Sequence, residues 1–169
     1  ITLSYQQIQP FIQKELVNPT FLNEEATGLD PNQKYIVLTF DDGPMPHTTT
    51  NILDVLQEKD VKATFFLLGQ NAKKHPDLVK RIHEEGHEVG SHSYSHPLLT
   101  NLSKEAVEKE VKQTDRAIFE ATGVIPRTFR PPYGAVNADV AAIIGKPIIQ
   151  WNIDSMDWHS KQKNATIQM

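Results

Sequence analysis

Tyr-Ile-Val-Leu-Thr-Phe-Asp-Asp-Gly-Pro-Met-Pro, at positions 35–46, is the stretch that decides the fold. Its first six residues favour β-structure and carry no charge, and two adjacent carboxylates, Asp41 and Asp42, follow them before Gly43 and Pro44. An apolar run of this length, bounded by turn residues, predicts a buried strand of a parallel sheet over residues 35–40. The two acids then lie at the carboxyl end of that strand, where α/β sheets and barrels usually carry their catalytic and ligand-binding residues.

The adjacent acids have two interpretations. Asp and Gly are common turn formers, so Asp-Asp-Gly-Pro is compatible with a simple turn. However, two carboxylates at the mouth of an apolar core are unfavourable unless a cation, either a bound metal or an arginine, offsets their charge. This segment alone leaves both interpretations open.

The composition is that of one globular domain. The chain has 169 residues, of which 38% are hydrophobic and 22% charged, so it is long enough to bury a sizeable core. The net charge of −4 and the absence of any run of Lys or Arg argue against a nucleic-acid-binding surface. The absence of cysteine excludes disulfides, thiolate metal ligands and a cysteine nucleophile.

Two regions of the chain differ in amino-acid composition and patterning. Residues 1–34 are rich in Gln and Asn and are interrupted by prolines, and we interpret them as the tail of an upstream domain plus a linker. After them, strand and helix patterns alternate five times, which predicts an α/β fold with right-handed parallel βα units. The predicted strands are residues 35–40, 62–69, 87–91, 127–129 and 147–153. Five strands do not close the usual barrel of eight, so either the sheet is open or the chain is cut short.

Capping signals predict the helices. Residues 48–50, all threonine, offer an N-cap for the first helix, and Asn137 offers one for a later helix. The longest helix is expected after Ser103, ending before Gly123. Its buried face is predicted to be Val107, Val111, Thr114 and Ile118.

Every unusual polar cluster follows a predicted strand. Because the carboxyl ends of parallel strands meet at one edge of a sheet, these clusters are expected to converge. Their members are Asp41 and Asp42 after the first strand, His92 and His96 after the third, Arg130 to Gly134 after the fourth, and Asp154, Asp157 and Trp158 after the fifth.

His92 and His96 lie four residues apart, so both can reach one ion if the backbone turns between them. The alternative is a pair of surface histidines, which is common for a lone His-x3-His pattern. A carboxylate from Asp42 would complete three protein ligands with one open position, which is the pattern of a catalytic zinc site.

Arg130-Pro-Pro-Tyr-Gly134 predicts a rigid loop that carries a cation and an aromatic ring. Its Arg130 could hold Asp41 ionised and correctly aimed, and the backbone N–H of Tyr133 could donate to an oxyanion. The same segment could instead merely turn the chain. Trp158 fits either a core position or a surface that stacks on a sugar ring.

These motifs resemble those of the polysaccharide deacetylase family, also called the NodB-homology or carbohydrate esterase family 4 domain. The resemblance runs from about residue 35 to residue 158, and it is strongest to the peptidoglycan N-acetylglucosamine deacetylases of Gram-positive bacteria. It implies a distorted (β/α) barrel of about seven strands, of which this chain supplies about the first five. Residues 35–169 would then be a catalytic domain truncated before its last strands.

The resemblance also implies a set of roles. Asp41 would be the general base, and Asp42, His92 and His96 would hold a divalent metal, with zinc ahead of Co²⁺ or another divalent ion. Arg130 would orient Asp41, the Tyr133 amide would help to bind the oxyanion, Tyr133 and Trp158 would contact the substrate, and Asp157 would support a catalytic histidine. That histidine, the general acid, belongs to a fifth motif that is absent from the sequence, and His159 follows the fourth motif too closely to replace it.

The expected activity is metal-dependent hydrolysis of N-acetyl groups, with a water activated by the metal and by Asp41 attacking the acetamide carbonyl. The expected partners are a glycan, chiefly peptidoglycan, and a C-terminal fragment of the same protein that completes the barrel. The expected location is the exterior or cell surface of a Gram-positive bacterium. Alternatives are an acetyl xylan esterase, a chitin deacetylase, or a carbohydrate-binding domain that has lost catalysis.

Overall fold

The computed structural model of the protein describes Asn32 and residues 34–161. The predicted upstream tail and linker, residues 1–34, therefore falls almost entirely outside the described residues. Within residues 34–161, no helix combines the length and the apolar character that crossing a membrane requires.

The described residues form a parallel sheet, as predicted from the alternating pattern. Its strands are β1 (Thr39–Gly43), β2 (Thr64–Leu67) and β3 (Glu88–Ser91), in the order β1-β2-β3. Thr64 of β2 lies opposite Thr39 of β1 and Glu88 of β3. Because all three strands point the same way, the residues that follow them emerge at one edge.

The predicted first strand is displaced. Residues 35–38 are not in a strand, and β1 instead continues through Asp41 and Asp42 to Gly43. The side chains of Ile36, Val37 and Leu38 are exposed, although the sequence predicts their burial. Leu38 contributes only its carbonyl to the sheet, accepting a hydrogen bond from the Thr64 N–H at 3.0 Å. Within the described part of the chain, β1 has a neighbouring strand on one side only.

The predicted fourth and fifth strands shrink to single bridges. Phe129 pairs in parallel with Ser91 on one side and with Ile148 on the other, and neither segment continues as a strand. Pro131 and Pro132, which lack an N–H, follow Phe129 and stop the ladder there. The predicted parallel direction of the segments is nevertheless retained.

The helices are α1 (Pro46–Glu58), α2 (Gly69–Lys74), α3 (Pro76–Glu84), α4 (Lys104–Thr122), α5 (Ala138–Ile144) and α6 (Asp157–Ser160). Short 3₁₀ turns occur at Leu99–Asn101 and Pro132–Gly134. The predicted cap of α1 is wrong, because the helix already begins at Pro46. Thr49 lies inside it, where its hydroxyl accepts a hydrogen bond from the Met45 N–H at 2.8 Å.

The caps of α4 and α5 are confirmed. The Ser103 hydroxyl accepts a hydrogen bond from the Ala106 N–H, and Gly123 ends α4 with a φ of 74°. Asn137 caps α5 by accepting from the Val140 N–H at 2.9 Å. The predicted buried face of α4 is also correct, since Val107, Val111, Thr114 and Ile118 are all buried.

The core consists of two apolar clusters on the helical side of the sheet. One lies between β2 and β3 and helices α1, α2 and α3, and the other joins α4 and α5 to Phe129. Helix α4 contributes to both clusters. In β2, Phe65 belongs to the first cluster, whereas Phe66 packs against the guanidinium of Arg130. The sheet therefore separates the apolar core from a polar site.

Candidate metal centre and active site

A β-bulge brings both adjacent acids to one site. Asp41 lies opposite Phe66 and Gly43 lies opposite Leu67, so the register skips Asp42, which has a left-handed φ of 67°. In a regular strand two successive side chains would point to opposite faces, and the bulge removes that alternation. Consequently the His92 Nε2 atom is 3.9 Å from Asp41 Oδ2 and 3.6 Å from Asp42 Oδ1.

Asp42, His92 and His96 form a cluster that could hold a metal ion. One ligand atom from each residue lies within 4.8 Å of the others. The Nε2 atom of His96 is 3.5 Å from the same Asp42 oxygen that faces His92. The His92 and His96 rings meet edge to face with centroids 5.0 Å apart. The structure thus brings together the three residues that the sequence analysis grouped.

His92 presents a lone pair to this cluster. Its Nδ1 atom lies 2.6 Å from the backbone carbonyl oxygen of Arg130. Because a carbonyl only accepts hydrogen bonds, Nδ1 carries the proton, and Nε2 is left as the unprotonated nitrogen of a neutral ring. A partner of this kind on the far nitrogen is the usual way in which proteins orient a metal-binding histidine.

Burial favours the same neutral form of His92. The side chain is almost fully buried, and this burial lowers the pKa of the imidazole below its ordinary value. Asp41, the hydrogen bond to the Arg130 carbonyl and Asp42 act in the opposite direction. Since a metal ligand must be unprotonated, the lowered pKa is the direction that ligation requires.

Arg130 holds Asp41 from the other side. Its Nη1 atom donates to Asp41 Oδ1 at 2.7 Å, and the Arg130 side chain is buried while that of Asp41 is about one third exposed. Burial lowers the pKa of Arg130 and Asp41 raises it, but an arginine remains protonated in either case. This pairing occupies the Oδ1 atom of Asp41 and leaves its Oδ2 atom facing the metal cluster, 3.9 Å from His92 Nε2.

The neighbours of Arg130 fix the position of its guanidinium. Its Nε and Nη2 atoms donate to the backbone carbonyls of Ile149 and Gln150, and Nη1 also donates to the Thr39 hydroxyl at 2.8 Å. The guanidinium carbon lies 4.2 Å from the ring centre of Phe66 and 5.6 Å from that of Trp151. With so many partners, Arg130 has little freedom to leave Asp41.

Tyr133 lies beside His96 at the mouth of the cluster. Its ring centre is 4.7 Å from that of His96, and its side chain is 68% exposed. The backbone at Tyr133 has a left-handed φ of 60° within the turn that follows Arg130. The predicted loop is therefore a turn that also places an aromatic ring over one of the candidate ligands.

Asp157 and Trp158 lie at the start of α6. Trp158 is 63% exposed and so is not part of the core of the described residues. Its indole N–H donates to Asp154, and the Ser155 hydroxyl donates to Asp157. Among the described residues, the hydrogen bonds and ring contact of Asp157 and Trp158 all lie within residues 154–161.

Sequence reasoning missed several residues that support the site. Asn71 donates to the backbone carbonyl of Asp42 at 2.8 Å and so holds the bulge. Glu110, on α4, accepts hydrogen bonds from the loop that carries His96. Both reach the site from distant helices, and helical periodicity does not reveal such contacts. Thr39 accepts a hydrogen bond from Arg130. It lies two residues before Asp41, so its nearness in sequence to the acids could have identified it.

The donor set fits a divalent metal. Two imidazole nitrogens and one carboxylate oxygen are ligands that zinc and neighbouring divalent metals accept. Three protein ligands leave a position for water or substrate. The proton on His92 Nδ1 and the bulge at Asp42 aim the remaining donor atoms at one point.

Comparisons with known proteins find a family model and several named relatives that this chain resembles. The model of the polysaccharide deacetylase family matches residues 28–147. The peptidoglycan-N-acetylglucosamine deacetylase PgdA of Listeria monocytogenes is 54% identical over 134 residues, which are 79% of this chain and 28% of PgdA. The peptidoglycan-N-acetylmuramic acid deacetylase PdaC of Bacillus subtilis is 42% identical over 146 residues, which are 86% of this chain and 31% of PdaC.

A solved structure of peptidoglycan deacetylase PdaC from Bacillus subtilis matches with a TM-score of 0.80 at 42% identity, covering 83% of this chain and 69% of that one. This match confirms the α/β fold implied by the resemblance. The chain spans 28% and 31% of the length of the two curated relatives. The range matched by the family model includes Asp41, His92 and Arg130 and ends before Asp157. Because the family model matches more than half of the chain, the chain belongs to the polysaccharide deacetylase family.

Proposed function

We propose that the protein is a metal-dependent polysaccharide deacetylase that hydrolyses the N-acetyl groups of N-acetylglucosamine in peptidoglycan. The observation that carries the proposal is the convergence of Asp42, His92 and His96 on one point, with the Asp41 carboxylate beside them and anchored by a buried arginine. The names of the relatives point to peptidoglycan as the substrate. The bacterial cell surface, where peptidoglycan lies, is the proposed place of action.

Asp42, His92 and His96 are the proposed metal ligands, and zinc is the proposed ion. A divalent ion bound there supplies Lewis-acid chemistry, because it polarises oxygen ligands and acidifies water. The Asp42 carboxylate would offset part of the charge of the ion, and the neutral His92 ring would donate a nitrogen lone pair. The mixed nitrogen and oxygen donors support zinc as the ion.

Asp41 is the proposed general base. Its Oδ1 atom is occupied by Arg130, so Oδ2 is the atom that would receive a proton from the attacking water. The water oxygen forms a bond to the acetyl carbonyl carbon, and the carbonyl oxygen takes the negative charge. The backbone N–H of Tyr133 is proposed to donate to that oxygen, in the manner of an oxyanion hole.

Breakage of the C–N bond requires a proton on the leaving amine, because an amine anion is a poor leaving group. We assign this proton to a histidine outside residues 1–169, with Asp157 as its supporting carboxylate. Trp158, whose indole is exposed, is proposed to stack on a sugar ring of the glycan.

The Asp41→Asn variant of the intact protein tests the proposed base. Asparagine keeps an oxygen for Arg130 but cannot accept the proton, so kcat for acetate release from N-acetylated peptidoglycan should fall by about 10²-fold or more. The matched control is Asp139→Asn, at an exposed residue in the first turn of α5, which should leave kcat unchanged. Substrates acetylated only on glucosamine or only on muramic acid identify the sugar.

Full activity of Asp41→Asn, or acetate release that survives removal of metal by a chelator, would overturn the proposal. Glycan binding by the intact protein with no acetate release would favour the non-catalytic alternative. Faster acetate release from acetylated xylan than from peptidoglycan would favour the esterase.

A further inference from the structure

The loop of residues 93–96, which connects His92 to His96, has an unusual backbone. Ser93 and His96 both have left-handed conformations, with φ values of 67° and 64°. Residues other than glycine adopt this region only where their surroundings impose it. The position of His96 therefore depends on whatever holds this loop.

Glu110 of α4 accepts three hydrogen bonds from the loop. Its Oε2 atom accepts from the backbone N–H groups of Tyr94 at 2.7 Å and Ser95 at 2.8 Å. Its Oε1 atom accepts from the Ser95 hydroxyl at 2.8 Å. A carboxylate suits this position because each of its oxygens can accept more than one hydrogen bond.

The opposite side of the loop is held by α2. The N–H groups of Gly69 and Gln70 donate to the carbonyls of Ser93 and Tyr94, each at 3.0 Å. Together with Glu110, these bonds fix the loop through its carbonyls on one side and its amides on the other. Within the loop, the Ser93 hydroxyl accepts from the His96 N–H at 3.0 Å.

Close packing between α2 and α4 brings Glu110 near the loop. A Cβ atom at Gly69 would lie 2.8 Å from the Thr114 Cα atom and 2.5 Å from the Tyr94 ring. The absence of a side chain at Gly69 thus lets α2 touch α4 at Thr114. One turn before Thr114, Glu110 is then within hydrogen-bonding distance of the loop.

We infer that Glu110 is a positioning residue for the metal ligand His96. It acts through the backbone of residues 94 and 95 and does not itself touch the metal or the substrate. The inference rests on the proposed metal centre, and it adds a residue from a helix that supplies none of the proposed ligands.

Zinc affinity of the intact protein tests this inference, measured by competition with a chromophoric chelator. Glu110→Ala should weaken zinc binding by about 10- to 100-fold, the usual effect of removing a residue that orients a ligand. Glu110→Gln, which keeps one accepting oxygen, should fall between Glu110→Ala and the wild type. The control is Glu108→Ala on the same helix, whose exposed carboxylate pairs with Lys112 and should not affect zinc binding.

A second readout needs no metal. Amide hydrogen exchange at Tyr94 and Ser95 should speed up in Glu110→Ala and not in Glu108→Ala. A thermal unfolding curve of each variant without zinc separates lost stability from lost affinity. If Glu110→Ala does not fold, the Glu110→Gln variant decides by the same two measurements.

The outcomes separate the two proposals. Wild-type protein that binds no zinc would overturn the proposed metal centre together with this inference. If the wild type, Glu110→Ala and Glu110→Gln all bind zinc with the same affinity, the proposed role of Glu110 is overturned and the metal centre is not. A lower melting temperature with unchanged zinc affinity would likewise overturn it, because a purely structural role predicts that result.

Discussion

Two short uncharged runs, residues 35–38 and Thr64–Leu67, both favour β-structure but have different surroundings. Tyr-Ile-Val-Leu is not part of a strand, and Ile36 is 69% exposed. Thr-Phe-Phe-Leu forms β2, which has a parallel strand on each side and is buried at every position. Both runs are rich in β-forming residues. The difference arises from their neighbours, since helices cover one face of β2 and Arg130 covers Phe66 on the other.

The largest effect is expected from shortening one side chain in each run of the 169-residue chain. Phe66→Ala should lower the free energy of unfolding by about 3–5 kcal/mol, because it leaves a cavity under Arg130. Ile36→Ala should lower it by less than about 1 kcal/mol, because most of that side chain is already in water. Denaturant unfolding at equal m-values measures both. Equal losses would mean that residues 35–38 are as well covered as β2.

The ends of the two strands provide a second comparison. A Cβ atom at Gly69, after β2, would meet Tyr94 and Thr114 at less than 3.0 Å, whereas one at Gly43, at the end of β1, would meet its nearest neighbours at 3.4 Å. Gly69→Ala should therefore cost about 1–3 kcal/mol through overpacking. Gly43→Ala should cost less than about 1 kcal/mol, since its surroundings have ordinary contact distances.

Thermal or denaturant unfolding of these two glycine variants measures the difference. The Gly69→Ala variant should also bind zinc more weakly, because its clash displaces the loop that carries His96. A larger loss of stability for Gly43→Ala than for Gly69→Ala would contradict the packing described between α2 and α4.

A smaller, pH-dependent effect is expected at Glu88, the first residue of β3. Burial raises the pKa of its carboxyl from an ordinary value of 4.5 to about 7, partly opposed by Arg127. A carboxyl with a raised pKa binds its proton more tightly in the folded state, so its contribution to stability is lost as the pH rises from about 4.5 to 7. Glu88→Gln removes this loss.

At pH 8 the Glu88→Gln variant should therefore be more stable than the wild type by about 1 kcal/mol, a value discounted for the partial exposure of the carboxyl. At pH 4 this advantage should vanish. Glu84→Gln, at an exposed carboxylate of α3, is the matched control. Unfolding curves that show the same gain for both variants, or no dependence on pH, would contradict the burial of Glu88.

Features that depend on neighbouring residues in the chain were predictable from the sequence. Ser103, Gly123 and Asn137 carry capping chemistry that acts within one helical turn, and the helix ends lie where these residues predict. The parallel order of the chain segments followed from the alternation of strand and helix patterns. The placement of polar residues after strands was enough to group Asp42, His92 and His96.

Features that depend on distant residues were not predictable in the same way. The bulge at Asp42 is held by Asn71, and Glu110 holds the loop of residues 93–96, in both cases from helices remote in sequence. The exposure of Ile36 depends on which segments lie beside β1. Sequence patterns record which residues favour a strand, but they do not record what covers it.

Anomalous diffraction at the zinc absorption edge, from crystals of the intact protein grown with zinc, tests the proposed metal centre. We expect one zinc ion about 2.0–2.2 Å from a carboxylate oxygen of Asp42 and from the Nε2 atoms of His92 and His96. Zinc bound at other residues, with these three side chains uncoordinated, would contradict it.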